Sequence, residues 1–223
     1  WDDGDNRITD FSAAYRLRPG SGWQVDPGML HAPGSLVTYT TEKNSDVFSM
    51  FQNMVGDRLI PWELVVKNIP DQLKNDLDYI VDLVDWEANV DPDFVRRNMR
   101  DPIPIAEGQQ ATEAGFAERW VSYGRSDYSA KELSVFPGRS AVIVDSAAYG
   151  AILVQGHGKV GSLVVETPSL IRFGAMTLDE LFVTHAAAIN GVRIQNDSQS
   201  EPLVILKHFG PNNPESSKLV VQN

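Results

Sequence analysis

The sequence predicts a mainly β fold with a short helical connector, and two patterns carry this prediction. Between residues 116 and 210, seven short apolar segments alternate with turns that contain Gly, Pro or Asn. This spacing is typical of an antiparallel sandwich or barrel rather than of βαβ units. Between residues 70 and 100, apolar residues recur at helical spacing instead, which indicates one or two helices.

The second half of the chain has the clearer strand pattern. We predict strands at 132–136, 141–145, 151–155, 163–166, 178–184, 192–195 and 203–209. Pro137-Gly138 and Asn190-Gly191 separate some of them, and such residues favour chain reversal. We therefore expect a complete β-barrel over residues 116–211, followed by a polar tail over 212–223.

The first half predicts a β-rich region followed by helices. Strands are expected at 12–17, 36–40 and 46–51, within a β-rich region that runs from residue 8 to about residue 67. A helical connector and strap should span 68–115, because Pro70-Asp71 suits a helix start. One helix would carry an apolar stripe, and a second short helix would run from 91 to 99. The stripe consists of Leu73, Leu77, Ile80, Val81 and Val84.

Composition and charge exclude several classes of function. The chain has 223 residues, 42% of them hydrophobic, and a formal net charge of -11. This charge argues against nucleic-acid and anionic-membrane partners, since both need a basic patch. The chain has no cysteine, which removes disulfides, thiolate ligands and Cys nucleophiles. No apolar run approaches the length of a transmembrane helix, so we expect a cytoplasmic protein without a membrane partner.

Several motifs in the second half follow one another in a recognisable order. Residues 149–158 read Tyr-Gly-Ala-Ile-Leu-Val-Gln-Gly-His-Gly, and 171–174 (Ile-Arg-Phe-Gly) lead into 180–183 (Glu-Leu-Phe-Val). Residues 191–196 (Gly-Val-Arg-Ile-Gln-Asn) then precede the last strand. Over residues 128–210 this order resembles the cupin superfamily. The resemblance implies a double-stranded β-helix, the cupin jelly-roll barrel.

The first half resembles the end of another cupin barrel. Residues 17–20 (Leu-Arg-Pro-Gly) and 27–32 (Pro-Gly-Met-Leu-His-Ala) resemble the second cupin motif. Together with Ser45-Asp46-Val47, they are similar to mannose-6-phosphate isomerases, although Val47 stands where that family has Asn. The resemblance implies a bicupin whose first barrel, over residues 1–67, is incomplete. We expect the missing strands to come from another segment or a second chain.

The same resemblance implies a metal site in the first barrel only. A cupin metal site uses His and carboxylate side chains, which suit Zn, Fe, Mn or Ni. His31 stands at the ligand position of the second motif, so a divalent metal is expected in the N-terminal barrel. In the second barrel, the corresponding positions fall at 143–146, Tyr149 and Val192. None of them is His, so we expect that barrel to be metal-free.

Three further residues are candidates for a site. Glu180 would act as a general base if it were buried with a raised pKa, and the alternative is a solvated charge at a strand edge. His185 follows a predicted strand and could belong to a polar substrate pocket. Trp23 could line the same pocket by stacking on a sugar, although core packing is the usual role of Trp.

Three functions remain open at this stage. The first is a metal-dependent isomerase acting on a small, sugar-like substrate, in which the metal holds substrate oxygens while a carboxylate moves a proton. The second is a non-haem metal oxygenase or lyase, because one scaffold hosts many chemistries. The third is a non-catalytic protein that binds a small molecule or assembles. Since cupins commonly dimerise, we also expect a homodimer or a larger homo-oligomer.

Overall fold

The computed structural model describes residues 1, 4–35, 37–44 and 47–219. Leu36, the Ser45-Asp46 pair and the end of the predicted tail lie outside the described residues. The chain divides into two compact units. The first comprises Trp1–Pro19, Val25–Thr38 and Asn44–Asn98, and the second comprises Gly20–Gln24, Tyr39–Lys43 and Met99–Asn223.

Strands dominate the second unit, and short helices dominate the first. The strands are β1 (Gly22–Trp23), β2 (Met54–Val55), β3 (Arg58–Leu59), β4 (Met99–Arg100), β5 (Ile103–Ala106), β6 (Phe116–Ser122), β7 (Ser129–Val135), β8 (Ser140–Ile143), β9 (Tyr149–Gln155), β10 (His157–Val160), β11 (Leu163–Glu166), β12 (Glu180–Val183), β13 (Val192–Asn196) and β14 (Leu203–Phe209). The helices are α1 (Trp62–Val65), α2 (Leu77–Asp82), α3 (Trp86–Asn89), α4 (Phe94–Asn98), α5 (Gly108–Ala114) and α6 (His185–Asn190).

The second unit is a sandwich of two antiparallel sheets. One sheet has the order β11-β10-β13-β8 and the other has the order β12-β9-β14-β7-β6-β5. The pairing is nested: β7 pairs with β14, β8 with β13, β9 with β12 and β10 with β11. The mainly β prediction is confirmed, and the nested order is consistent with a cupin jelly roll. The sheets are open, however, so the closed double-stranded β-helix stays a prediction.

Side-chain alternation divides the sandwich interior into an apolar and a charged part. On β14, Leu203 and Ile205 point inward and are at most 1% exposed. They pack with Leu133 of β7 and Leu153 of β9, and burial of these aliphatic side chains drives the two sheets together. Lys207 occupies the next inward position of β14 after Ile205, so the interior becomes charged toward the end of that strand.

The seven predicted strands of this unit all form, with ends shifted by up to a few residues. The sequence patterns missed β5, β6 and β10 and the two-residue strands β1 and β4, and α5 lies where the strap was expected. β10 was missed because residues 156–158 (Gly-His-Gly) look like a turn. Gly158 is needed within this strand, since a Cβ there would lie 2.0 Å from the carbonyl oxygen of Gln195.

The prediction of a β-rich region over residues 8–67 is wrong for the first unit. Its only strands among the described residues are the two-residue β2 and β3, and neither 12–17 nor the described parts of 36–40 and 46–51 form one. β-branched segments adopt strands only where a partner strand and a packing face are present. The structure thus shows no half-barrel among the described residues, and the bicupin remains a prediction.

The predicted helical stretch does form, as several short pieces. A 3₁₀ turn (Asp71–Leu73) precedes α2, and α3 and α4 follow. The side chains of Asp76 and Asp85 accept hydrogen bonds from the first turns of α2 and α3, which fixes where these helices begin. Ile80 of α2 packs on Val65 of α1 in a small core. Among the described residues, no helix has the length and apolarity needed to cross a membrane.

Candidate functional site: a buried ion network

The charged end of the sandwich holds a network of five ionisable side chains, here called the ion network: Glu118, Lys131, Asp145, Lys207 and Glu215. Lys131 and Lys207 lie on β7 and β14 at inward-facing positions, and both are at most 2% exposed. Glu118 comes from β6 and Asp145 follows β8. Buried charges of this kind are rare unless they are paired.

Asp145 is the centre of the ion network. One carboxylate oxygen accepts a hydrogen bond from Lys131 Nζ at 2.7 Å, and the other accepts one from Lys207 Nζ at 2.7 Å. Lys207 is also ion-paired with Glu118. Each ammonium therefore lies between two carboxylates, which offsets the cost of removing its charge from water.

Aromatic rings surround the two ammonium groups. Lys131 Nζ lies 4.6 Å from the ring centroid of Trp120 and 5.4 Å from that of Phe209. Lys207 Nζ lies 5.2 Å from the ring centroid of Tyr149. These cation–π contacts favour the charged amines. The Tyr149 hydroxyl is buried and has no hydrogen-bond partner among the described residues.

Glu215 joins the network from the C-terminal strap, the segment 211–219 beyond the last strand. Its carboxylate accepts a hydrogen bond from Lys131 Nζ at 2.6 Å and another from the backbone N–H of Ser146 at 2.9 Å. The Glu215 side chain is 31% exposed, whereas those of its buried partners are almost inaccessible. The network therefore reaches solvent at this one of its five members.

Neighbouring groups of the network shift the pKa values of Lys131 and Glu215. Burial opposes the charge of Lys131, but the carboxylates of Glu118 and Asp145 outweigh it and raise the pKa of Lys131. Burial also opposes the charge of Glu215. The hydrogen bonds from Lys131 and Ser146 outweigh that effect, so the pKa of Glu215 is lowered. At neutral pH, Lys131 is a cation and Glu215 is an anion.

Neither Lys131 nor Glu215 has the pKa shift that favours proton transfer at neutral pH. A nucleophilic or basic lysine needs a lowered pKa, and a carboxyl that acts as an acid at neutral pH needs a raised one. Lys131 and Glu215 shift in the opposite directions. Lys131 and Glu215 instead stay charged and are held in place by directed hydrogen bonds.

The residues predicted from sequence lie elsewhere. His31 is exposed in the first unit, and its Nδ1 lies 2.9 Å from the carbonyl oxygen of Met29. In the second unit, Glu180 is exposed on the edge strand β12, and His185 is exposed at the first position of α6. Trp23 is partly buried on β1, opposite Met99. The structure places these residues on separate elements, and their predicted roles stay predictions.

The part of the chain that the structure describes contains no set of side chains that could hold the predicted metal. Within those residues, no three His, Asp or Glu side chains are grouped so that they could hold a metal ion. His31 is an exposed single donor. In the sandwich, Asp145 and Glu118 face ammonium groups, whose charge would oppose a second cation. The described residues alone do not form a cupin metal centre, and the metal in the N-terminal barrel stays a prediction.

A second polar cluster lies on the outer face of the six-stranded sheet. The ring of His208 faces Tyr39 at a centroid distance of 6.3 Å, and it lies over Gly150. A Cβ at Gly150 would approach His208 Nε2 to 2.0 Å, so only glycine leaves room for the ring. Burial lowers the pKa of His208, and the charge of Glu180 partly opposes this shift.

The sequence contained a signal for the ion network that the strand patterns did not use. Lys207 occupies the same strand face as Leu203, Ile205 and Phe209, and all four are buried. A lysine at an apolar-face position of a predicted strand indicates a buried, paired charge. No such signal marks Glu215, because its role depends on where the chain turns after β14.

Among known proteins, similarity to this chain is found only with solved structures. No protein-family model matches the sequence, and no curated protein matches it. Among solved structures, similarity is found to a cupin-2 domain from Rhodospirillum rubrum. The identity is 14% and the TM-score 0.35, over 50% of this chain and 71% of the other.

Two other solved structures show the same level of similarity. An RmlC-like cupin from Shewanella frigidimarina is 13% identical, with a TM-score of 0.32, over 52% of this chain and 86% of the other. The polyketide cyclase RemF from Streptomyces resistomycificus is 10% identical, with a TM-score of 0.32, over 45% and 68%. The first two are cupin domains. These low scores carry no argument about activity, so the function must be argued from this chain's own residues.

Proposed function

We propose that this chain is a non-catalytic protein that binds a small molecule on a cupin-type sandwich. The single observation that supports the proposal is the 2.6 Å contact between Lys131 Nζ and the Glu215 carboxylate within the ion network. Its ammonium at Lys131 is held charged and its carboxylate at Glu215 is held ionised. Groups fixed in these states attract and orient a polar ligand but do not exchange protons readily near neutral pH.

The cost of the network supports a role beyond stability. Apolar residues of similar volume often stabilise a core as well as a buried ion network does, or better. The network has five charged side chains, of which only one is partly exposed, so their desolvation is a large cost in folding free energy for a small sandwich. Retention of such a network is understandable if it positions donors for a ligand at the end where Glu215 reaches solvent.

The isomerase predicted from the sequence is the main rival. It requires a divalent metal held by His31 together with further donors, and the described residues supply no such group. The oxygenase or lyase requires the same site. No observation on the described residues favours either enzyme over the binding protein.

Metal content and activity test the proposal. The purified chain should be incubated with Zn, Fe(II), Mn or Ni, desalted and analysed by mass spectrometry. His31→Ala is compared with His157→Ala, a second exposed histidine. We expect no stoichiometric metal, no aldose–ketose exchange and no O2 uptake in any of the three proteins. One metal per chain that is lost only in His31→Ala would refute the proposal.

We further propose that the chain forms a homodimer or larger homo-oligomer. The open edges of the two sheets support this, because an unpaired edge strand is available to a second strand. Phe182, on the edge strand β12, is 68% exposed and would gain from being covered. Light scattering coupled to size-exclusion chromatography measures the mass, and a monomer at all micromolar concentrations would contradict the proposal.

A further inference from the structure

We propose that Lys131 Nζ and the backbone N–H of Ser146 form a binding site for a small carboxylate anion, and that Glu215 occupies this site as an internal substitute. This inference rests on the proposed binding function, and it names the class of ligand. The receptor belongs to the sandwich, because Lys131 lies on β7 and Ser146 lies between β8 and β9. The carboxylate that fills it belongs to the C-terminal strap.

The geometry of the site is that of carboxylate recognition. The two donors bind different oxygens of one carboxylate: Lys131 Nζ contacts Oε2 at 2.6 Å and Ser146 N contacts Oε1 at 2.9 Å. Hydrogen bonds from a charged ammonium to a carboxylate are about twice as strong as neutral ones. Any acetate-like group in the same place would accept both bonds.

The receptor is organised without help from Glu215. Asp145 holds Lys131 Nζ from one side at 2.7 Å, and the rings of Trp120 and Phe209 enclose the ammonium. Without Glu215, the two ammoniums of Lys131 and Lys207 balance Glu118 and Asp145 in charge. A preorganised and neutral receptor does not need to rearrange when an anion binds, which favours affinity.

Besides Glu215, the strap is held by hydrogen bonds and by packing: Asn213 and Ser216 are 4% and 2% exposed, and Leu219 packs against the core cluster of the sandwich. The backbone N–H of Asn212 donates to Ser126 O at 2.8 Å, and Asn213 Nδ2 donates to Ser129 Oγ at 3.5 Å. Its regular structure within the described residues is one 3₁₀ turn, Ser216–Lys218. The partly exposed side chain of Glu215 marks the side from which a free carboxylate would enter.

The tether predicts a competition between Glu215 and free ligand. A carboxylate held beside the site by its own chain has an effective concentration at least in the roughly millimolar range of a short flexible linker, so it weakens the apparent affinity for a free carboxylate. Removal of the Glu215 carboxylate should therefore strengthen acetate binding by roughly tenfold or more. Neutral acetamide has nearly the same shape but no charge, and it should not replace acetate.

The test compares the full-length chain with Glu215→Ala and with Glu132→Ala. Glu132 is a matched control because it is also a paired, partly exposed carboxylate, 2.7 Å from Arg119 and 24% exposed. Thermal unfolding is followed in sodium acetate at concentrations up to about 100 mM. NaCl and acetamide at equal concentrations are the controls for ionic strength and for a neutral molecule of similar shape. We expect acetate to raise the melting temperature of Glu215→Ala only, with no such effect in Glu215→Ala/Lys131→Met.

Each outcome decides the inference. A folded Glu215→Ala protein that does not respond to acetate, or an equal response of Glu132→Ala, would overturn it. If Glu215→Ala fails to fold, refolding with acetate but not with NaCl would support the carboxylate site, and failure in both salts would overturn it. The metal and activity assays are separate, so a missing acetate response with a metal-free chain refutes this site without refuting the binding function.

Discussion

Replacement of Asp145 by Asn tests the ion network most directly. The substitution keeps the shape of the side chain and removes one charge that serves two ammonium groups, each at 2.7 Å. The Asp145 side chain is fully inaccessible and those of Lys131 and Lys207 are at most 2% exposed, so water cannot replace the lost partner. Loss of one partner from a buried pair costs about 3–5 kcal/mol.

We therefore expect Asp145→Asn to lower the free energy of unfolding by about 3–5 kcal/mol, at the upper end if both ammoniums lose stabilisation. Since about 1 kcal/mol shifts the melting temperature of a chain of this size by roughly 2–4 °C, the shift should be about 6–20 °C. Urea titration measures the change through fluorescence, because Trp120 is buried beside Lys131.

Asp71→Asn is the control for this prediction. Asp71 is paired with Lys74 at 2.6 Å, but the two side chains are 92% and 38% exposed. Exposed pairs contribute little because water screens their charges, so the control should lose much less stability. Equal losses in Asp145→Asn and Asp71→Asn would refute the argument that the network is buried and mutually dependent.

Three further predictions concern pH and packing. The pKa of Glu215 is lowered from its usual 4.5, so ionised Glu215 stabilises the folded state fully above pH 4.5, and this stabilisation is lost as pH falls through the lower folded pKa. Glu215→Gln should therefore flatten the loss of stability in acid, which urea titration below about pH 5 measures. Burial lowers the pKa of His208 from 6.5, so the unfolded chain binds the proton more readily and stability should fall as pH drops below 6.5. His208→Gln should remove this dependence, and an unchanged profile of stability against pH in that variant would contradict the prediction. Gly150→Ala should destabilise by about 1–3 kcal/mol because its Cβ meets His208, whereas Gly210→Ala, with nothing within 4 Å, should show no steric cost in the same titration.

The strand pattern of the second unit could be predicted from sequence because each strand carries its own alternation. The inward positions of β14 are apolar at Leu203, Ile205 and Phe209, and the predicted strand 203–209 has the same bounds as β14. The prediction failed for β10, where Gly158 is required by a close backbone approach that only the paired strand reveals. It also failed for residues 8–67, because strand propensity without a partner strand does not form a sheet.

The candidate site depended on tertiary structure in a different way. The sequence determined that Lys207 lies on an apolar strand face, which follows from the two-residue period of the strand alone. Only the fold decided that Asp145 stands between Lys131 and Lys207 and that Glu215 returns to the same place. These residues are far apart in the chain, and the charge pairing that holds them exists only once the two sheets have enclosed it, because strong attraction between ions requires the exclusion of water.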